Sequence, residues 1–199
     1  MKIFKENSYD IVRLYVNQLG IMIFSMLLGY AVGDLKNEAL SSALSLIVSI
    51  FSICFYFALI YYAVWEIGAK DRIRVDGGKA ELYRSKGLVM GIFANIPNIL
   101  LGLLTIIFLS VFLLSDNEVI YSVFLIANLI MRMHASMYLG VVIAIVPLGA
   151  AGAEINYTTY MIHAVLLTVV PLISAAVTHI AYSLGFKEKK ILSFIFNKK

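Results

Sequence analysis

The sequence predicts an all-α fold, a polytopic bundle of transmembrane helices, on three observations. Hydrophobic residues make up 61% of the chain and charged ones 14%, against about half and a quarter in soluble domains. Apolar runs long enough to cross a bilayer recur along the chain, and nearly all Lys and Arg residues fall in three polar segments between or beyond them. A crossing takes about 20 apolar residues at 1.5 Å each. The 199 residues therefore accommodate five or six crossings, short connectors and a single integral membrane domain over 1–199.

The first span covers Leu14–Gly33. Its Leu19–Tyr30 core and the small residues Ala31-Val32-Gly33 resemble a cleavable signal. The long preceding segment with Glu6 and Asp10 points instead to an uncleaved helix. A polar turn over residues 34–38 leads into the second span, Leu40–Trp65, closed by Tyr61, Tyr62 and Trp65 as an interfacial aromatic girdle.

The polar stretch "EIGAKDRIRVDGGKAELYRSKG" (66–87) follows, with six cations against Glu66, Asp71, Asp76 and Glu81, and reads as a cytoplasmic loop. Within it, "RIRVDGGKAEL" alternates polar and apolar residues around Asp76-Gly77-Gly78. This is a hairpin signal, with a plain solvated loop as the alternative.

The third span, Leu88–Leu114, is interrupted by "NIPN", and Asp116-Asn117-Glu118 turns the chain outside. Val119–Ala153 is apolar apart from Asn128, Arg132, His134 and Ser136. A last span covers Thr158–Leu184, and "GFKEKKILSFIFNKK" (185–199) reads as a basic amphipathic tail lying in the interface.

The N-terminal segment, the 66–87 loop and the tail hold every Lys and Arg except Lys36 and Arg132. All three are expected in the cytoplasm, with both termini on the inner side of a cell membrane, which requires an even number of crossings. Residues 119–153 must then cross twice or not at all. The sequence predicts six spans, with Val119–Ser136 and Met137–Ala153 as two short ones and Arg132, His134 and Ser136 at their turn. The rival arrangement has five, with one tilted helix over 119–146.

Gly87, Gly91, Asn95, Asn98, Gly102 and Thr105 recur at steps of three or four, forming one small and polar stripe on the third helix. Asn128, Arg132 and Ser136 form another on its antiparallel neighbour. Helical rise sets Asn95 about 11 Å from the inner boundary and Arg132 about 20 Å from the outer one, comparable depths. Pro97 removes a backbone hydrogen bond and frees a carbonyl near residue 93. A proline break beside polar groups at mid-depth is a transporter device. Asn95, Asn98, Asn128 and Arg132 are thus the candidate ligand-binding residues, a guanidinium fork with amides suited to an anionic or carbonyl-bearing solute. A second break is expected at Pro147, Gly149 and Gly152, before Glu154.

The competing reading of Arg132 is structural: its stem snorkels toward water or pairs with Glu66. His134, His163 and His179 are dispersed, so no metal site is expected and interhelical hydrogen bonding is their role. Glu154 and His163 could relay protons near the outer face. Cys54 is the single cysteine, which rules out an intrachain disulfide. The formal charge of +4 is explained by topology and lipid headgroups, so nucleic acid is not expected as a partner. No catalytic constellation appears, and neither an enzyme nor a cofactor is expected. Two small-residue rows, Ser25/Gly29/Gly33 and Gly87/Gly91, invite close helix approach or a homo-oligomer.

At "WEIGAKDRIRVDGGKAELYRSKGLVMGIFANIPN" the chain resembles uncharacterised small multi-pass membrane proteins of Gram-positive bacteria. The resemblance covers about a fifth of the chain and implies no established activity. In size the chain is also similar to compact substrate-binding subunits of energy-coupled vitamin importers and to short ABC-type permease subunits, an analogy only. The expected function is a transport-type membrane subunit with a polar site between spans three and four. A non-transporting scaffold, immunity or partner-binding protein is the alternative. Membrane lipids are expected partners, and the 66–87 loop is the expected contact for a cytoplasmic or membrane protein.

Overall fold

The computed structural model describes residues 7–33, 35, 37–81, 83–147 and 156–189, and every element among them is helical. In chain order these are α1 (Ser8–Gly33), α2 (Glu38–Asp76), α3 (Lys86–Ala94), α4 (Ile96–Ser115), α5 (Glu118–His134), α6 (Ser136–Ile145), α7 (Tyr157–Val169), a 3₁₀ turn (Val170–Leu172) and α8 (Ile173–Phe186). Asparagine opens three of them. The Asn37 Oδ1 accepts from the Leu40 N–H, that of Asn117 from Val119 and Ile120, and that of Asn156 from Thr159. Each satisfies a donor that a helix start leaves without a partner.

Among the described residues four helices are long and apolar enough to cross a membrane: Ser8–Gly33, Ala39–Asp76, Ile96–Ser115 and Tyr157–Phe186. A fifth arises if α5 and α6, bent by 104° at Ala135, count as one broken span. The sixth expected span is not among the described helices. At ten residues α6 is about 15 Å long, half of a 30 Å hydrocarbon core. The bend itself falls inside the Arg132–Ser136 segment expected to turn. On α4, Leu100, Leu103, Leu104 and Ile107 stand exposed, as side chains facing acyl chains would.

The glycine pair expected in a hairpin ends a helix instead. α2 runs on through the polar residues to Asp76, supported by the i,i+4 pairs Glu66–Lys70 and Arg72–Asp76. The Lys79 N–H then reaches the Arg74 carbonyl and the Gly78 N–H the Val75 carbonyl. With Gly78 at φ +68°, this is a Schellman cap, in which a left-handed glycine lets the last carbonyls find donors. The expected 66–87 loop is therefore helical up to residue 76.

The helices group into two compact units that interleave along the chain. The first comprises Met1–Asn17, Tyr56–Asn95 and Leu172–Lys199. Here α3 lies against α8 through the expected Gly87/Gly91 row: a methyl on Gly91 would overlap Thr178 and Ala175, and one on Gly87 would overlap Thr178 and Tyr182. α2 meets α8 in the same manner, with Gly68 against the Tyr182 carbonyl and Gly185 against that of Trp65. Lys86 Nζ sits 2.6 Å from Asp71 Oδ2, both side chains 13% exposed, and the Tyr182 hydroxyl donates to the same oxygen at 3.0 Å. Glu66, expected as a partner for Arg132, is taken by Lys70 at 2.7 Å and Arg13 at 4.0 Å. Most of the 185–199 tail lies outside the described residues.

The second unit comprises Gln18–Phe55 and Ile96–Pro171. α4 and α5 form an antiparallel pair through Asp116-Asn117, and α7 packs on both. Gly102 of α4 lies against Thr168 of α7. Near their ends Phe112, Tyr121 and Tyr157 meet, with ring centroids 4.8 to 6.4 Å apart. The short α6 is tied down by two hydroxyls: Ser136 Oγ donates to the Met22 carbonyl, and Ser49 Oγ accepts from the Gly140 N–H, both at 2.9 Å. Of the Ser25/Gly29/Gly33 row, Ser25 is buried, and Gly29 and Gly33 meet no neighbouring helix among the described residues.

Candidate functional site

Two proline effects organise the polar groups. Pro171 has no N–H, so the Leu167 carbonyl four residues earlier loses its helical donor. Asn98 of α4 takes the vacancy: its Nδ2 donates to the Leu167 oxygen at 3.2 Å, with Thr168 O at 3.4 Å. Pro147 confines the residue before it to extended backbone, and Val146, at φ −128°, ψ 91°, ends α6 there. Its carbonyl accepts from His163 Nε2 at 2.7 Å.

His163, fully buried on α7, joins that carbonyl to Arg132. The Arg132 Nη2 lies 3.2 Å from His163 Nδ1. A guanidinium only donates, so Nδ1 presents its lone pair and the ring proton sits on Nε2, directed at Val146. The Arg132 Nε donates to Asn128 Oδ1 at 3.2 Å, and the guanidinium carbon stands 5.3 Å from the Tyr160 ring centroid, within cation–π range. Asn128, Arg132, Tyr160, His163 and Val146 thus form one network within the second unit.

Arg132 is partly buried and, among the described residues, no carboxylate lies within ion-pairing distance of it. The C-terminal end of α5 offers it partial negative charge worth about 0.3–1 kcal/mol, less than the several kcal/mol that desolvating an unpaired cation costs. Its unused N–H groups can therefore take a carboxylate, a phosphate or a carbonyl.

The four expected ligand-binding residues do not form one cluster. Asn128 and Arg132 bond to each other. Asn98 is occupied with Leu167 and Thr168. Asn95, in the first unit, ends α3 and donates to the Gly91 carbonyl and Ser174 Oγ, both at 2.8 Å. Asn95 and Asn98 of span three and Arg132 of span four each bond to the last span, while Ser136 bonds to Met22 of α1. The side-chain oxygens of Asn95 and Asn98 are buried and have no hydrogen-bond partner among the described residues.

Sequence reasoning missed Tyr160, the pairing of His163 with Arg132, and the role of Pro171. The proline was the visible signal, because it announces a carbonyl in need of a donor. Glu154, Gly149 and Gly152 lie outside the described residues, so the expected Glu154–His163 relay stands without a described acid. No protein-family model matches this chain, and neither a curated protein nor a solved structure matches it.

Proposed function

We propose that the chain is a transport-type integral membrane subunit of a bacterial cell membrane, in which Arg132, oriented by Asn128 and His163, receives an anionic or carbonyl-bearing solute. The observation that carries this reading is a partly buried guanidinium whose described partners are all neutral. Arg132 lies fourteen residues past Glu118, about 21 Å along α5, beside a helix break, the combination found where transporters hold solutes.

The proposal includes four crossings, with α5 and α6 entering and leaving on the outer side. That keeps the even count demanded by the basic segments and leaves both termini cytoplasmic. In a chain lacking Cys54, a Met133→Cys variant would then be unreactive to a membrane-impermeant thiol reagent from the cytoplasmic side, and Lys198→Cys reactive. Strong cytoplasmic labelling of Met133→Cys favours six spans.

A screen of small carboxylates, phosphates and neutral carbonyl compounds against the purified protein tests the site. Solutes that raise the unfolding temperature of the wild type should fail to do so for Arg132→Met, while Lys70→Met keeps the response. Identical responses in Arg132→Met and wild type would remove Arg132 from any solute site. The second reading, a non-transporting scaffold, draws on the Asn98–Leu167 and Gly102–Thr168 contacts, where polar and small residues serve helix packing. Under that reading no solute shifts the wild type, and a stable protein partner co-purifies equally with Arg132→Met.

A further inference from the structure

The first unit contains an open cavity of about 740 Å³ whose lining includes Arg72, Arg84, His179, Tyr182, Phe186 and Lys187. It is unrelated to Arg132. Among the described residues no carboxylate lines it. Arg72 is held by Asp76 at 3.4 Å and Glu188 at 3.1 Å, which fixes its guanidinium and offsets its charge. Arg84 and Lys187 are exposed and, among the described residues, form no ion pair. His179 lines the cavity, half-buried, with its Nδ1 enclosed and without a hydrogen-bond partner among the described residues. The Tyr182 and Phe186 rings, 6.4 Å apart, add an apolar wall.

A second cavity, of about 800 Å³, makes an instructive contrast. Arg74, Lys79 and Lys86 share its lining with Asp71 and Glu81, so its charges offset one another and favour no ligand sign. The charged residues lining the first cavity are of one sign, and two of them, Arg84 and Lys187, have no ion pair among the described residues, which selects an anion, while the aromatic wall selects one with an apolar continuation.

Position along the helix supports the same ligand. Arg72 is seven residues beyond Trp65, about 10 Å further along α2. If Trp65 marks the edge of the hydrocarbon, the Arg72 backbone stands a few ångströms beyond the headgroup layer, which adds about 5–8 Å on each side of the core, and its long side chain can reach back into that layer. Arg84 and Lys187 lie beyond the last apolar turns of their segments in the same unit.

We propose that this cavity binds a phosphate-bearing headgroup, with Arg84 and Lys187 meeting the phosphate oxygens, His179 supplying a further hydrogen bond through its other ring nitrogen, Nε2, and Tyr182 and Phe186 covering the apolar portion. The phosphate can come from an anionic membrane lipid or from a soluble phosphate compound. The full-length protein is reconstituted in nanodiscs of phosphatidylcholine alone or with one fifth phosphatidylglycerol. In detergent it is titrated with phosphatidylglycerol or with inorganic phosphate, bound molecules being counted by native mass spectrometry.

General attraction of a basic surface to anionic lipid accounts for about a fivefold change in affinity per cation, whichever cation is removed. The site predicts more: Arg84→Gln with Lys187→Gln lowers affinity well beyond 25-fold and abolishes one saturable bound lipid. Lys70→Gln and Lys79→Gln each stay within fivefold. Both cations being exposed, the double variant should match the wild-type unfolding temperature in phosphatidylcholine, and His179→Gln, with its charges intact, provides an independent weakening. Saturable binding of phosphatidylglycerol lost in these variants assigns the site to lipid. The same pattern with inorganic phosphate at comparable affinity assigns it to a soluble phosphate. Equal losses in Lys70→Gln and the double variant, or no saturable binding of either probe, would overturn the proposal.

Discussion

Replacing Lys86 with methionine removes the cation 2.6 Å from Asp71 and leaves a carboxylate only 13% exposed with the Tyr182 hydroxyl as its sole described partner. Breaking a buried pair from one side costs about 3–5 kcal/mol, because the surviving charge stays desolvated. The tyrosine bond and the residual exposure put Lys86→Met at the lower end, about 3 kcal/mol. Asp71→Leu takes the acceptor from Tyr182 and leaves a lysine whose long stem can lift its ammonium toward water at little further cost, so about 2 kcal/mol is expected. The double variant carries no stranded charge. It loses the acceptor of Tyr182, worth about 1–3 kcal/mol, and lands near 2 kcal/mol. The cycle then yields a coupling of about 3 kcal/mol, the upper end for residues in direct contact.

Trp65 is the single tryptophan and packs against Gly185 in the same unit. Its fluorescence during denaturant unfolding of the solubilised protein therefore reports on this region. The Lys86→Met penalty should be the same at low and high salt, since a sheltered pair is weakly screened. Lys70→Met, whose side chain is 68% exposed, should cost under about 1 kcal/mol and lose that in salt. A penalty for Lys86→Met below about 1 kcal/mol, or a vanishing coupling, would refute the claim that this pair is buried and shared with Tyr182.

Three further outcomes are expected from the same assay. Gly185→Ala drives a methyl into the Trp65 backbone, where no rotamer can yield; overpacking of about 1–3 kcal/mol should exceed the gain in helix propensity of up to about 1 kcal/mol. At Gly29, open on all sides, alanine should stabilise by up to about 1 kcal/mol, so the two substitutions differ in sign. Asn117→Ala removes the acceptor for two N–H groups at the start of α5 and should cost about 0.5–2 kcal/mol. Asn98→Leu should cost about 1–3 kcal/mol by exposing the Leu167 carbonyl to an apolar neighbour. Most of that penalty should disappear in a Pro171→Ala background, where residue 171 regains the N–H that Asn98 replaces.

Span positions were readable because lipid demands about 20 consecutive apolar residues, and soluble turns between them carry asparagine caps that the sequence displays. The break at Asn95 was equally visible, since Pro97 forbids an uninterrupted helix. Gly77-Gly78 misled because one pair of glycines serves both a hairpin turn and a helix terminus. The deciding signal was the i,i+4 charge pairing of Glu66 with Lys70 and Arg72 with Asp76, which belongs to a helix. The partners of the polar stripes were not readable. Asn98 and Leu167 are 69 residues apart, and spacing along one helix tells which residues share a face without telling which helix that face meets. The 104° bend at Ala135 carries neither proline nor glycine; the Ser136–Met22 and Gly140–Ser49 bonds hold the chain after it.

The histidine between Arg132 and Val146 has both ring nitrogens engaged at once. Its single proton faces the end of α6 and its lone pair faces the guanidinium, so neither contact can be exchanged without disturbing the other. If the short helix shifts and withdraws its last carbonyl, the imidazole N–H loses its acceptor, the ring is free to turn, and the arginine keeps only Asn128 and the Tyr160 ring. The position of those ten residues and the set of partners around the guanidinium are in this way coupled through one ring.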